Sequence, residues 1–198
     1  MIDEKTLAKI NVNYEKYEAL CGEMGDRSEA AKAMVDALSS RLALCPASAK
    51  ERFHDAFPGG LIEHSLSVYK LAQNLNKSLG ANLDGESLRI ACLFHDLGKV
   101  GDLTDDYYLT QDNDWRRDNL GEIYVVNWDM QKMPHSDRSL WLLQHFGVTL
   151  SLDEWVAIKI HDGQYADMNE YYSMSEPTLA LIVHMADRMS VQVEKGLI

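Results

Sequence analysis

Residues Glu86-Ser87-Leu88-Arg89-Ile90-Ala91-Cys92-Leu93-Phe94-His95-Asp96-Leu97-Gly98-Lys99 decide how the rest of the chain is read. Leu88, Ile90, Ala91, Leu93 and Phe94 make the stretch from Glu86 to His95 apolar nearly all round, which predicts a deeply buried helix. The stretch ends in His95-Asp96, and Gly98 follows as a natural helix terminator. Neighbouring helical residues project about 100° apart, so one can face a cation while the other reaches a second cation or bridges the pair. A lone His-Asp dipeptide carries little weight. Burying two ionisable groups at the end of an apolar helix is costly unless they are paired or bind a cation.

On either side the apolar residues mostly recur at helical spacing. The first 20 residues read as a helix that stops around Gly22 and Gly25. Asp26 or Ser28 then caps a second helix carrying Ala31, Val35, Leu38, Leu42 and Cys45. After Pro58-Gly59-Gly60 a third helix runs to about Leu79, with His64, Val68, Leu71 and Leu75 on one face. Further helices are expected from Ser136 to Phe146 and from Leu152 to Ile160. Ser173-Met174-Ser175-Glu176 has a capping-box pattern and should open a helix through Ala186 to about Val193. Tyr107-Tyr108-Leu109-Thr110 and Ile123-Tyr124-Val125-Val126 have β propensity and predict a short hairpin. Pro46, Pro58, Pro134 and Pro177 all fall at element boundaries. The expected fold is all-α, a mostly helical bundle with a small β-hairpin insertion, and no repeat or linker divides it.

Composition bounds the function. The chain has 198 residues, 46% of them hydrophobic and 25% charged, with a formal charge of −12 and a pI near 4.9. That length suits one ordinary domain. The acidity argues against gripping a long nucleic acid by surface charge. The charged start from Met1 to Lys9 does not resemble a signal peptide, and no apolar run approaches the ~20 residues of a membrane span. Cys21, Cys45 and Cys92 are odd in number and widely spaced, which points to idle thiols in a reducing cytoplasm.

Seven histidines are the oddity of so acidic a chain. His64 lies on a face that otherwise looks like core and, alone, would be read as a packed core histidine. His135 follows Pro134, and His161 ends a helix before Asp162-Gly163. Asp187 sits in Leu179-Ala180-Leu181-Ile182-Val183-His184-Met185-Ala186, a segment too apolar for a free carboxylate. Together with His95-Asp96 they form an ordered set spread over five elements. Imidazole and carboxylate ligands suit Mn, Fe, Co, Ni or Zn. Six donors exceed what one structural zinc requires, and the lack of ligating cysteine also argues for a catalytic site.

The residues Arg52-Phe53-His54-Asp55-Ala56-Phe57-Pro58-Gly59-Gly60-Leu61-Ile62-Glu63-His64-Ser65, taken with His95-Asp96, resemble the HD superfamily of metal-dependent phosphohydrolases. The likeness is to small stand-alone HD proteins and to the HD domain of a class of bacterial 3′–5′ exoribonucleases. It covers about residues 50–192 of a single 1–198 unit, with residues 1–45 expected as N-terminal helices packed on that core. By this resemblance His64, His95, Asp96 and Asp187 match the four-ligand core. His135 and His161 match the two extra histidines of branches that hold a second metal. The stand-alone branch more often has Gly-His-Gly-Glu-Lys-Ser around the first of these, and this chain departs from it at Met133, Ser136, Asp137 and Arg138.

The resemblance implies one or two divalent cations (Mn, Fe, Co, Ni, Zn or Mg), a water made nucleophilic, and attack on the phosphorus of a small phosphate ester, a nucleotide above all. Asp96 belongs to the catalytic centre. Lys99 and Arg138 are candidates to stabilise phosphoryl charge, His54 to protonate the leaving group, and Glu63 to orient a ligand. For His54 a purely structural place remains open. His184 is read as core packing, with orienting a ligand as the alternative, and His145 as structural. Tyr107, Tyr108, Trp115, Arg116 and Arg117 would form either a lid over a base or ordinary packing. Two other readings stay open: a nucleotide- or metal-responsive binding module without turnover, and an HD-type di-iron oxygenase. No membrane partner is expected, and pairing with a second copy is left open.

Overall fold

The computed structural model describes residues 2–197. Met1 and Ile198, the outermost positions of the expected 1–198 unit, lie outside the described residues. Helix α1 spans Glu4–Cys21, capped by Asp3 and ended at Gly22. Helix α2 spans Ser28–Leu44 and buries Ala31, Val35, Leu38 and Leu42 as expected. Neither Asp26 nor Ser28 caps it. The chain enters α2 from a 3-10 turn, Gly25–Arg27, so the backbone is already helical there, and the Ser28 hydroxyl accepts from the Met24 N–H instead.

Helix α3 spans Gly60–Leu79, and α4 spans Gly85–Phe94 with Asp84 as its cap. All five apolar residues that predicted deep burial of α4 are 2% exposed or less. Burial of this kind stabilises by roughly 1.5–3 kcal/mol per large side chain. Gly98 plays a different part from the expected one. Beyond His95-Asp96 the chain continues into a 3-10 turn, Leu97–Val100. A Cβ at Gly98 would lie 2.0 Å from the His135 carbonyl oxygen, so glycine is what lets this turn touch the next long helix.

The excursion between them is larger than a tight hairpin. Strand β1, Tyr108–Thr110, pairs antiparallel with β2, Tyr124–Val126, and helix α5, Asp114–Leu120, lies in the connection. Sequence reading missed α5 because it buries no residue and has no apolar period. Its Asn113 cap and left-handed Gly121 define it instead.

Helix α6 spans His135–His145, α7 spans Leu152–Lys159 and α8 spans Thr178–Glu194. The capping box proper belongs to α7, where Ser151 and Glu154 satisfy each other's backbone N–H groups. The predicted one at residues 173–176 does not form. Glu176 precedes Pro177, which disfavours helical backbone, so α8 starts only after the proline.

Helix α3 packs on α4 and α8, α7 packs on α4 and α8, and α6 packs on the Leu97–Val100 turn. Helices α1 and α2 pack on each other and on α3. Tyr17 of α1 donates to the Leu93 carbonyl, and Arg27 bridges Glu86 and Glu154. Among the described residues the three cysteines are free and buried, and no helix is long and apolar enough to cross a membrane.

Candidate metal centre

The convergence of α3, α4, α6, α7 and α8 brings together the six residues that the sequence singled out. His64 comes from the first turns of α3, Asp187 from the middle of α8, and His95-Asp96 from the end of α4. His135 opens α6, and His161 follows α7. His64 and His95 are fully buried, Asp96 and His161 are 2% exposed, and only His135 and Asp187 reach the surface in part.

Asp96 stands at the middle. Its Oδ2 faces one set of groups: His64 Nε2 at 3.7 Å and His95 Nε2 at 3.5 Å. In that set His64 Nε2 is also 3.3 Å from His95 Nε2 and 3.1 Å from Asp187 Oδ1. Its Oδ1 faces a second set, His135 Nε2 at 3.1 Å and His161 Nε2 at 3.3 Å, themselves 3.1 Å apart. Oδ1 is buried, and these two imidazole nitrogens are the only groups that reach it among the described residues. A buried carboxylate oxygen is costly unless a proton or a cation lies beside it.

The outward nitrogens explain why the inward ones are available. His95 Nδ1–H donates to the Cys92 carbonyl and His161 Nδ1–H to the Ile158 carbonyl, each at 2.8 Å. His64 Nδ1–H donates to Glu194 Oε1 at 3.2 Å. Each bond fixes the ring and turns Nε2 toward the centre. Lone pairs that face one another across about 3 Å repel unless a proton or a metal ion lies between them. The donor set therefore fits divalent cations, and clusters of three ligand atoms occur on both sides of Asp96.

The charges respond to this crowding. Burial alone would depress His64, but Asp187 and then Glu194 outweigh it and lift its pKa to about 10. Burial takes His95 down to about 4. His161 rises to about 9 because Asp96 and then Asp162 outweigh its burial. Burial would raise Asp96, yet Lys99 and the surrounding histidines hold its carboxyl well below the usual range.

The other expected residues divide. Lys99 Nζ lies 2.5 Å from Asp96 Oδ2 and lines the cavity over the cluster. His54 also lines it, with its ring centroid 4.5 Å from that of His64. Burial and then the His64 charge bring His54 down to about 4. Arg138 lies apart from the cavity. It is buried, donates to the Gly98 and Gln131 carbonyls, stacks over Tyr107 and forms no part of the cavity wall, so its charge is spent on packing. Glu63 pairs with Lys9 on the outer side of α3, and it is Glu194 that meets the His64 Nδ1. Tyr108 reaches the wall, whereas Arg116 pairs with Glu122, Arg117 with Asp114, and Trp115 points to solvent. No five-residue lid forms. His184 Nδ1–H donates to the His161 carbonyl and its ring reaches the wall, while His145 stacks on Trp141 at the surface.

Sequence reading passed over four neighbours. Asp162 Oδ2 lies 3.5 Å from His135 Nε2, and its signal was adjacency to His161. Arg188 and Lys195 line the same cavity, of about 400 Å³, and Arg188 carried the signal of following Asp187. Glu194 had no signal in the linear sequence.

A family model described as HD domain matches residues 61–192. The chain belongs to the HD-domain family. HD domains are in general hydrolases that bind divalent metals, and the clustered His and Asp residues agree with that character. Comparisons with curated proteins and with solved structures gave no match.

Proposed function

We propose that this HD protein is a metal-dependent phosphohydrolase that cleaves a phosphate ester of a nucleotide or a related small substrate. The inward imidazoles on both sides of Asp96 carry this reading, because with its carboxylate they would offer donors to one or two divalent cations. His64, His95, Asp187 and Asp96 Oδ2 would hold one, and His135, His161 and Asp96 Oδ1 a second. Bound divalent cations supply Lewis acidity toward phosphate oxygens and make water deprotonable near neutral pH.

The chain's own residues supply the rest. Lys99, Arg188 and Lys195 face the cavity with positive charge, in a molecule whose net charge is −12. They orient an anionic group toward the cluster. Phe53, Tyr108 and Val126 give the same wall an apolar part suited to a base or another organic group. Burial and the His64 charge hold His54 down at about 4, which disfavours it as the acid, so in this reading it orders the wall beside His64. The cavity volume and the acidity favour a small substrate over a long polynucleotide. The free buried cysteines accord with a reducing cytoplasm.

The test is a hydrolysis screen over nucleoside mono-, tri- and cyclic phosphates with each metal, beside Asp96→Ala. Losing both halves of the centre should lower phosphate release by ~1,000-fold or more, since metal ions supply several kcal/mol of transition-state stabilisation. Metal-loaded protein that releases no phosphate from any of these would defeat the proposal. Oxygen consumption by an iron-loaded sample without phosphate release would select the oxygenase reading.

A further inference from the structure

His64 is clasped between two acids of one helix. Asp187 Oδ1 sits 3.1 Å from its Nε2, and Glu194 Oε1 sits 3.2 Å from its Nδ1. Between them on α8, Ser190 Oγ lies 3.3 Å from Nδ1. Asp187, Ser190 and Glu194 follow one another at three- and four-residue steps, the spacing that keeps side chains on one face of a helix. Helix α8 thus presents a single stripe to both nitrogens of one imidazole.

The placement of Glu194 is unfavourable on every other ground. It is the final residue of α8, where the helix dipole disfavours negative charge. Its side chain is only 10% exposed, and Oε2 is buried without a partner. No lysine or arginine pairs with it among the described residues. Its one hydrogen bond among the described residues is to a candidate metal ligand. Glu194 also lies beyond residues 61–192, the stretch matched by the HD family model, so it is a feature of this chain rather than of the matched pattern.

We propose that Glu194 is a positioning residue for the Asp187 side of the centre, holding the His64 Nδ1–H so that Nε2 faces the cation and binds it more strongly. This inference rests on the metal-centre reading above. It is specific to one half, because among the described residues Glu194 forms no hydrogen bond or ion pair with His135 or His161. His161 takes its orientation from a backbone carbonyl that no side-chain substitution removes.

Cobalt(II) titration of the chelator-treated full chain tests it, followed by calorimetry and by the visible ligand-field spectrum. Wild type should show two binding events, and the one abolished in His64→Ala marks the Asp187 side. Glu194→Ala should weaken that event by about 10–100-fold and shift its spectrum. The other event should stay within about twofold. Glu194→Gln keeps the size and an acceptor oxygen but loses the charge, so it should fold normally and fall between wild type and Ala. Equal weakening of both events would mean a merely structural role and overturn the proposal. Unchanged binding in both variants would overturn it as well. A wild-type chain that bound no cobalt would instead sink the metal-centre reading itself.

Discussion

The two sides of Asp96 are built differently. The Asp187 side draws on α3, α4 and α8, whose mutual packing forms much of the core, and its histidines are fully buried. The other side draws on the first residue of α6 and the residue past the α7 cap, and the His135 side chain is 22% exposed. On the first side a removed donor strands buried charge. On the second, solvent and the exposed Asp162 can compensate. The first half is therefore the one set among packed helices and the second the one carried at helix ends, although each has one part-exposed member, Asp187 and His135.

This contrast is broken most directly by comparing His64→Ala with His135→Ala. His64→Ala leaves Asp187 and Glu194 facing an empty place, and losing a buried partner costs roughly 3–5 kcal/mol. Metal-free thermal unfolding should register that loss, and cation titration should show one event weakened by about 100-fold or more. His135→Ala should unfold within about 1 kcal/mol of wild type, as surface substitutions do, and weaken only the other event. Equal destabilisation by the two would erase the distinction.

Gly98→Ala sharpens it from the second side. The added Cβ would sit 2.0 Å from the His135 carbonyl oxygen, and overpacking of this kind costs about 1–3 kcal/mol. The backbone that carries His135 must move, so the second cation-binding event should weaken before the first. Urea unfolding and the same titration measure both parts.

The smallest effect concerns the scaffold under the second side. Burial tends to raise Glu154, but its bonds to Arg27, Ser151 and Ser87 hold its carboxyl below the usual range. A pKa lowered by folding adds stability that is present above the unfolded value, about 4.3, and is lost as pH falls through the folded one. Glu154→Gln should therefore be less stable at pH 6 and show a flatter decline toward pH 3. An acid limb as steep as that of wild type would count against the assignment.

Much of the site was legible in the sequence because its donors are ionisable residues in apolar surroundings, where chance seldom leaves them. His64 on a core face and Asp187 in an apolar helix are of that kind. The helices were legible from apolar spacing, and α8 was misplaced at its start only because Pro177 overrides the capping pattern before it. Helix α5 escaped because polar caps and ion pairs hold it, and these leave no period. The place of Arg138 was not legible, since a lone arginine near a site reads the same whether it meets a phosphate or a carbonyl. Glu194 was invisible because its partner is 130 residues away, and only the packing of α3 on α8 makes them neighbours.

That separation bears on when the proposed centre becomes complete. The histidine-rich segments are made first, and α8 is the last of the described helices to leave the ribosome. Until α8 docks, His64 and His95 lack the carboxylate opposite them, and any cation they catch is held by an open, partial set. The Asp187 side of the proposed centre is thus complete only once α8 has docked, and a chain ending before residue 187 would lack that carboxylate.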